Sequence, residues 1–426
     1  MESQELARFN PWWTTGKVRE VLLERFKRKA YYSAERELDR RQATLIWGMR
    51  RMGKTVLTYQ LIDKLLREGT SPRNILYFSF DEVSSTIDTV LEAYQREVLN
   101  KTFESSTRRI YVFFDEVQKA DDWENKVKLH YDLYPNVKFV LTGSASVPLR
   151  RGSRESMAGR MFSLLVEPLS FEEFLGISGM DVEAIRGDPR LWDRTLAPLF
   201  HRYLKYGSFP ELVSEEDEER ARNYIREGIV ERVIYRDLPS EFGLRDVELL
   251  KALFYIVAAN PGAIMNYRKI SKDLGRDQRT VADYFEYLEY GLLTRFVYNY
   301  RGSPVASSRK AKKVYLGTPS LALAADRARN AKLLENFVLM KTGAKFFYRN
   351  GFEVDFVLPE GEGFTAIEVK ERGVTRSNSW PSTGSSSGGS SGSCSSPWSG
   401  ERPKEPRRSQ PGSSRCSDAS LSRCLD

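Results

Sequence analysis

Apolar residues over the first 145 positions fall in short unbroken runs. Thr44–Trp47, Ile75–Phe80, Ile110–Phe114 and Lys138–Leu141 alternate with stretches of helical spacing over 55–68, 87–100 and 125–131. Runs rich in Ile, Val and Phe read as strands covered on both faces, and Ile110–Phe114 has no polar interruption at all. Their alternation with helices predicts a mostly parallel α/β sheet. Further on, Tyr267–Gly275 reads as a short helix stopped by glycine. Asp277 opens a second helix, with Val281, Tyr284, Phe285 and Leu288 on one face, and Leu292–Tyr300 follows as strand. That order predicts a winged helix-turn-helix. Residues 345–349 and 352–358 flank Asn350-Gly351, a hairpin signal, and 364–370 form one more strand.

From about Arg372 the pattern stops. No Ile, Phe, Tyr or Met occurs after Lys370, and Ser/Gly-rich then Pro/Arg-rich text runs to the end. Such a segment cannot bury enough apolar surface to offset its ordering entropy, so residues 372–426 are expected to be disordered. All three cysteines, Cys394, Cys416 and Cys424, lie in it. Composition and cysteine use change together, which fits a native flexible tail or, the favoured reading, a reading-frame shift. The body before Cys394 therefore has neither disulfides nor Cys-ligated zinc. With only His130 and His201, it is also poor material for His-based metal sites or Ser-His-Asp chemistry. No apolar run approaches the ~20 residues that cross a bilayer. The N-terminus lacks a secretion signal, so no membrane partner and a cytoplasmic location are expected. A net charge of +8 suits contact with a polyanion.

The sharpest chemistry is Gly48-Met49-Arg50-Arg51-Met52-Gly53-Lys54-Thr55, followed by Val56. It fits G-x-x-x-x-G-K-[ST] between a strand and a helix. The glycines let backbone N–H groups surround phosphates, and the helix N-terminus adds its positive end. Lys54 is expected on the β- and γ-phosphates of ATP and Thr55 on Mg²⁺. Asp81-Glu82 and Asp115-Glu116 both end strands. The second pair follows the more apolar strand, so Asp115 is assigned to Mg²⁺ through water and Glu116 to the attacking water. Thr142 or Ser144 is expected near the γ-phosphate; a hydroxyl-rich turn is the plain alternative. Among Arg150, Arg151, Arg154 and Arg160, Arg160 is the first choice for a guanidinium on the transition-state charge, against a solvated basic loop. Asn125-Lys126-Val127-Lys128 lacks the Asp of a guanine-reading motif, which favours adenine.

These motifs recur in a fixed order: the phosphate loop, Phe-Phe-Asp-Glu-Val-Gln (113–118), Leu-Thr-Gly-Ser-Ala-Ser (141–146), Ser156–Arg160, Pro168–Phe174, Tyr203–Glu211 and Tyr235-Arg236-Asp237-Leu238. The series resembles a family of archaeal and bacterial AAA-type P-loop ATPases. The resemblance implies a core over 1–165, a helical lid over 166–245, a winged helix over 246–305 and a truncated restriction-endonuclease-like domain over 306–371.

At the winged helix, Arg276, Gln278 and Arg279 have the chemistry to meet double-stranded DNA, arginine for phosphate or guanine and glutamine for adenine. Packing against protein is the alternative use. In the nuclease-like part, Asp355 and Glu368 are candidate ligands of a second metal, with Glu335, Glu353 and Lys370 nearby in the pattern. The missing continuation of that fold after Lys370 argues against nuclease activity. The leading expectation is an ATP-hydrolysing switch associated with DNA. The alternatives are a DNA-binding or nuclease-like protein with a regulatory nucleotide site, and a non-enzymatic interaction module with bound nucleotide. An oligomer or a protein partner is left open.

Overall fold

The computed structural model describes residues 3–145, 157–300, 312–325, 330–361, 363–370 and 373–377. The chain divides into two compact units. One holds 1–182, 206–251 and 284–293; the other holds 183–205, 252–283 and the described residues from 294 onward. The stretch expected as a lid, 166–245, is thus split, with 183–205 in the second unit.

The first unit is built on β1 (Ala43–Trp47), α1 (Lys54–Arg67), β2 (Ile75–Ser79), α2 (Ile87–Tyr94), β3 (Ile110–Asp115), α3 (Trp123–Leu133), β4 (Val137–Gly143), β5 (Met161–Leu165) and α4 (Phe171–Ile177). The five strands form a sheet in the order β2-β3-β4-β1-β5, every pairing parallel. Every residue of β2, β3 and β4 is buried, as their mainly apolar runs predict. The core is aromatic-rich, with Phe78, Phe80, Phe114, Phe139 and Trp123 packed together. The free edge of β2 is closed by side chains of the N-terminal segment. Asn10 donates to Tyr77 O and accepts from Tyr77 N–H at 2.8 and 2.7 Å, and the indoles of Trp12 and Trp13 both donate to Ile75 O. An edge strand covered this way offers no row of open backbone groups.

Next come α5 (Val247–Ala259), β6 (Ala263–Ile264), α6 (Tyr267–Leu274), α7 (Gln278–Tyr290), β7 (Thr294–Asn299), β8 (Lys312–Leu316), α8 (Asn330–Thr342), β9 (Phe346–Asn350), β10 (Phe352–Glu360), β11 (Gly363–Lys370) and β12 (Gly373–Ser377). The second unit's sheet runs β12-β11-β10-β9-β7-β8-β6. β8 pairs antiparallel with both β6 and β7, and β7 continues into the rest through a parallel pairing with β9. One sheet therefore spans the boundary expected at 305/306. Gly275, at φ 62, ends α6, and Gly351, at φ 77, turns the hairpin. β12 corrects the expected start of the disordered tail: Gly373–Ser377 pair antiparallel with β11. The remainder of the tail, like Arg150, Arg151 and Arg154, lies outside the described residues. Among the described residues, no helix is long and apolar enough to cross a membrane.

Candidate nucleotide site

β1 and β3 lie either side of β4, and all three run the same way. The loop after β1 and the acidic end of β3 therefore emerge at one edge of the sheet, where open α/β sheets bind their ligands. In the loop, side chains sort by chemistry. Met49 and Met52 are buried, which anchors the turn, and Lys54 at the start of α1 is buried with them. Arg50 is half-buried and Arg51 exposed. Gly53, at φ 80, sits in the left-handed region just before α1. Gly48 faces β5's end: a Cβ there would fall 2.6 Å from the Val166 carbonyl oxygen. Lys54 Nζ donates to the carbonyls of Gly48 and Met49 at 3.2 Å each. Val56 is partly exposed at the helix start.

Asp115 is the meeting point. Its Oδ2 accepts from the Thr55 hydroxyl at 3.1 Å and from the Tyr77 hydroxyl at 3.1 Å. Its Oδ1 accepts from the Thr142 hydroxyl, which in turn accepts from Glu116 N–H at 3.1 Å. Burial, above all, pushes the Asp115 carboxyl above its ordinary range; the Glu116 charge adds to this, while bonds from Thr142 and Tyr77 and the Lys54 charge oppose it. Glu116 adopts φ 51, ψ 47, a left-handed conformation that costs energy in a side-chain-bearing residue and recurs at functional sites. Its carboxylate accepts from Gln118 Nε2 at 2.5 Å.

A cleft opens beside this group, lined by Arg50, Lys54, Glu116, Ser144, Asp237 and Leu238 among others. Arg50 binds Asp237 bidentately, Nε to Oδ2 at 3.1 Å and Nη2 to Oδ1 at 3.0 Å. Arg51 holds both oxygens of Glu211 at 3.2 and 3.1 Å and lies over the Tyr224 ring.

The structure brings Gly48–Val56, Asp115, Glu116, Thr142 and Ser144 together, with one change of emphasis. The Thr142 hydroxyl is committed to Asp115 and Glu116 and holds the acidic tip, whereas Ser144 faces the cleft. Asp81 pairs with Lys119 at the end of β2, as a strand-end turn would. Arg160 is not brought to this chain's own site. It precedes β5, its carbonyl accepts from Ala43 N–H at the start of β1, and its guanidinium binds Asp132 at 2.9 Å. The phosphate loop begins at the other end of β1, roughly 16 Å away at ~3.3 Å per residue. Sequence reasoning assigned no role to Tyr77, Glu211 or Asp237. Glu211 and Asp237 carried a signal, through the Tyr203–Glu211 and Tyr235–Leu238 motifs; Tyr77 carried none.

In the second unit, Arg276, Gln278 and Arg279 are exposed at the start of α7, which Asp277 caps by accepting from Arg279 N–H at 2.8 Å. At the candidate second metal site a lysine lies among the carboxylates. Lys313, almost fully buried, puts its ammonium 2.7 Å from Glu353, 3.6 Å from Asp355 and 3.7 Å from Glu335. Burial is the main cause that raises the Asp355 carboxyl. Asp355 also accepts from Val369 N–H at 2.9 Å, and Glu368 pairs with Lys370 at 3.3 Å. Among the described residues, no group of three or more His, Cys, Asp or Glu is placed to hold a metal.

Residues 40–175 match a family model described as an AAA domain, and residues 197–332 match one described as a domain of unknown function. An uncharacterized protein of Haemophilus influenzae is 29% identical over 322 residues, 73% of this chain and 75% of its own length. Another, from Methanocaldococcus jannaschii, is 24% identical over 342 residues, 76% of this chain and 74% of its own. The Aeropyrum pernix ORC1 protein, solved in complex with DNA, aligns over 72% of this chain and 92% of its own at 15% identity and a TM-score of 0.31. The parallel sheet, the phosphate loop and the acidic tip all lie within residues 40–175, the stretch that matches the AAA domain model.

Proposed function

We propose that the chain binds and hydrolyses ATP. The observation that carries this reading is the 3.1 Å approach of the Thr55 hydroxyl to the Asp115 carboxylate, which sets a phosphate loop and an acidic strand end at one cleft. Both donors are hard oxygens, suited to Mg²⁺. When bound there, Mg²⁺ neutralises charge on the β- and γ-phosphates. Lys54 and the loop N–H groups hold the phosphates. Glu116 lines the cleft and accepts a proton from water as the water oxygen bonds to the γ-phosphorus. The bond from that phosphorus to the β,γ-bridging oxygen breaks, its electron pair stays on ADP, and phosphate leaves. Calorimetric titration with Mg-ATP tests the first step. Wild type is expected to bind and Lys54→Ala to lose binding; equal affinity in the two would end this reading.

A DNA-associated role is proposed for the second unit. The element order α5-β6-α6-α7-β7-β8, with β8 between β6 and β7, supports a winged helix, and the exposed Arg276, Gln278 and Arg279 support contact with a duplex.

A further inference from the structure

This inference rests on the ATPase reading above. Phosphoryl transfer spreads negative charge over the γ-phosphate oxygens and the bridging oxygen, and a guanidinium placed there accelerates it strongly. Arg160, the residue with the expected chemistry, lies at the far end of β1. A different arginine already lines the cleft with Lys54 and Glu116: Arg50, two residues after the first loop glycine.

Its geometry is that of an aimed group. The fork formed by Nε and Nη2 is occupied by both oxygens of Asp237, and Nη1 takes part in neither bond. A bidentate pair fixes the guanidinium plane, so the direction of Nη1 is set by Asp237. Arg50 and Asp237 side chains are 22% and 26% exposed. At such exposure an ion pair contributes little stability, and its consequence is orientation. Burial lowers the Arg50 pKa, but the Asp237 bonds and charge, with Glu116 and Asp81 behind them, raise it overall, so the guanidinium stays charged.

The backbone that carries Asp237 is itself unusual. Arg226–Glu231 and Val233–Asp237 are π-helical, a geometry frequent at functional sites. Val233 and Leu238 flank Asp237 in the cleft. Gly291 permits their close approach: a Cβ there would lie 3.0 Å from Val233 and 3.3 Å from Leu238.

We propose that Arg50 is the catalytic arginine of this ATPase, acting on the triphosphate bound by its own loop, and that Asp237 is the positioning residue that aims it. As the γ-phosphorus gains the water oxygen and releases ADP with the bridging electron pair, Arg50 neutralises the charge that develops. The loop residue and the π-helical segment thus form one device, complete within a single chain.

Steady-state ATP turnover by the full chain tests this. Wild-type turnover checks the underlying reading; without it, both proposals fall together. Given turnover, Arg50→Ala is expected to lower kcat by about 10³-fold with KM changed less than about threefold, and added guanidinium chloride at millimolar concentration restores part of the rate. Asp237→Asn lowers kcat by about tenfold, and the Arg50→Ala/Asp237→Asn double variant is no slower than Arg50→Ala alone, because Asp237 acts through Arg50. Mixing Arg50→Ala with Lys54→Ala restores nothing. A kcat for Arg50→Ala within twofold of wild type, additive losses in the double variant, or activity regained on mixing would each overturn the proposal.

Discussion

At the scale of single residues, the site works by commitment of polar groups. Thr142 gives its hydroxyl to Asp115 and receives Glu116 N–H, so one side chain fixes the strand tip that the chemistry needs. Thr142→Val keeps the shape and removes both bonds. It is expected to slow turnover by about tenfold or more through misplacement of Glu116, while Lys54 still binds ATP, which a paired binding and turnover assay reads directly. Gly48 is the complementary case, where absence of a side chain matters. Its Cβ would collide with the Val166 carbonyl, which is backbone and cannot swing aside. Gly48→Ala is expected to cost about 1–3 kcal/mol of stability, seen as a lower melting temperature. The glycine, lysine and threonine positions were legible in sequence because the phosphate-loop chemistry demands those residue types at that spacing. Asp237 and Tyr77 were not, because their roles come from three-dimensional proximity to Arg50 and Asp115.

At the scale of elements, the buried strands were the easiest to read. Apolar runs in β2, β3 and β4 admit only a doubly covered sheet. What periodicity misses is the exception inside such a strand. Lys138 on β4 is fully buried, its ammonium bound to the Gln42 carbonyl and the Thr44 hydroxyl. Burial, helped by the Arg109 charge, lowers its pKa to about 7. The unfolded chain keeps that proton up to about 10.4. Below 7 both states are protonated and folding carries the full cost of the buried charge. Between 7 and about 10 the unfolded state alone holds the proton, so stability rises with pH. Wild type should therefore gain on Lys138→Met by about 2 kcal/mol between pH 7 and pH 9, measured by urea unfolding at each pH. A constant difference would show that Lys138 does not titrate in this range. β12 was missed for a related reason: Gly373–Ser377 is short and follows a compositional break, and only its pairing with β11 makes it a strand.

At the scale of the whole molecule, two units with different sheets share one chain. Fold class was legible because strand and helix alternate in the first unit. The extent of the second sheet was not, because β7 and β9 pair across 46 intervening residues, a long-range choice that local pattern does not encode. The position of Lys313 among the carboxylates of the second unit was likewise not legible, because only the fold brings β8 beside β10 and α8. If the exposed Arg276, Gln278 and Arg279 meet a duplex, affinity should fall steeply with salt, and Arg279→Ala should weaken it and flatten the salt slope by about one unit. Fluorescence anisotropy across a salt series reads this, and no binding at low salt would leave the helices a packing role.

In the proposed reaction the end of β3 works on a triphosphate held by the loop after β1. Its most direct test is the single-turnover hydrolysis rate of Glu116→Gln at saturating ATP. With nucleotide affinity retained, the rate should fall by about 10²- to 10⁴-fold. An unchanged rate would contradict the assignment of Glu116 and with it the account of the site.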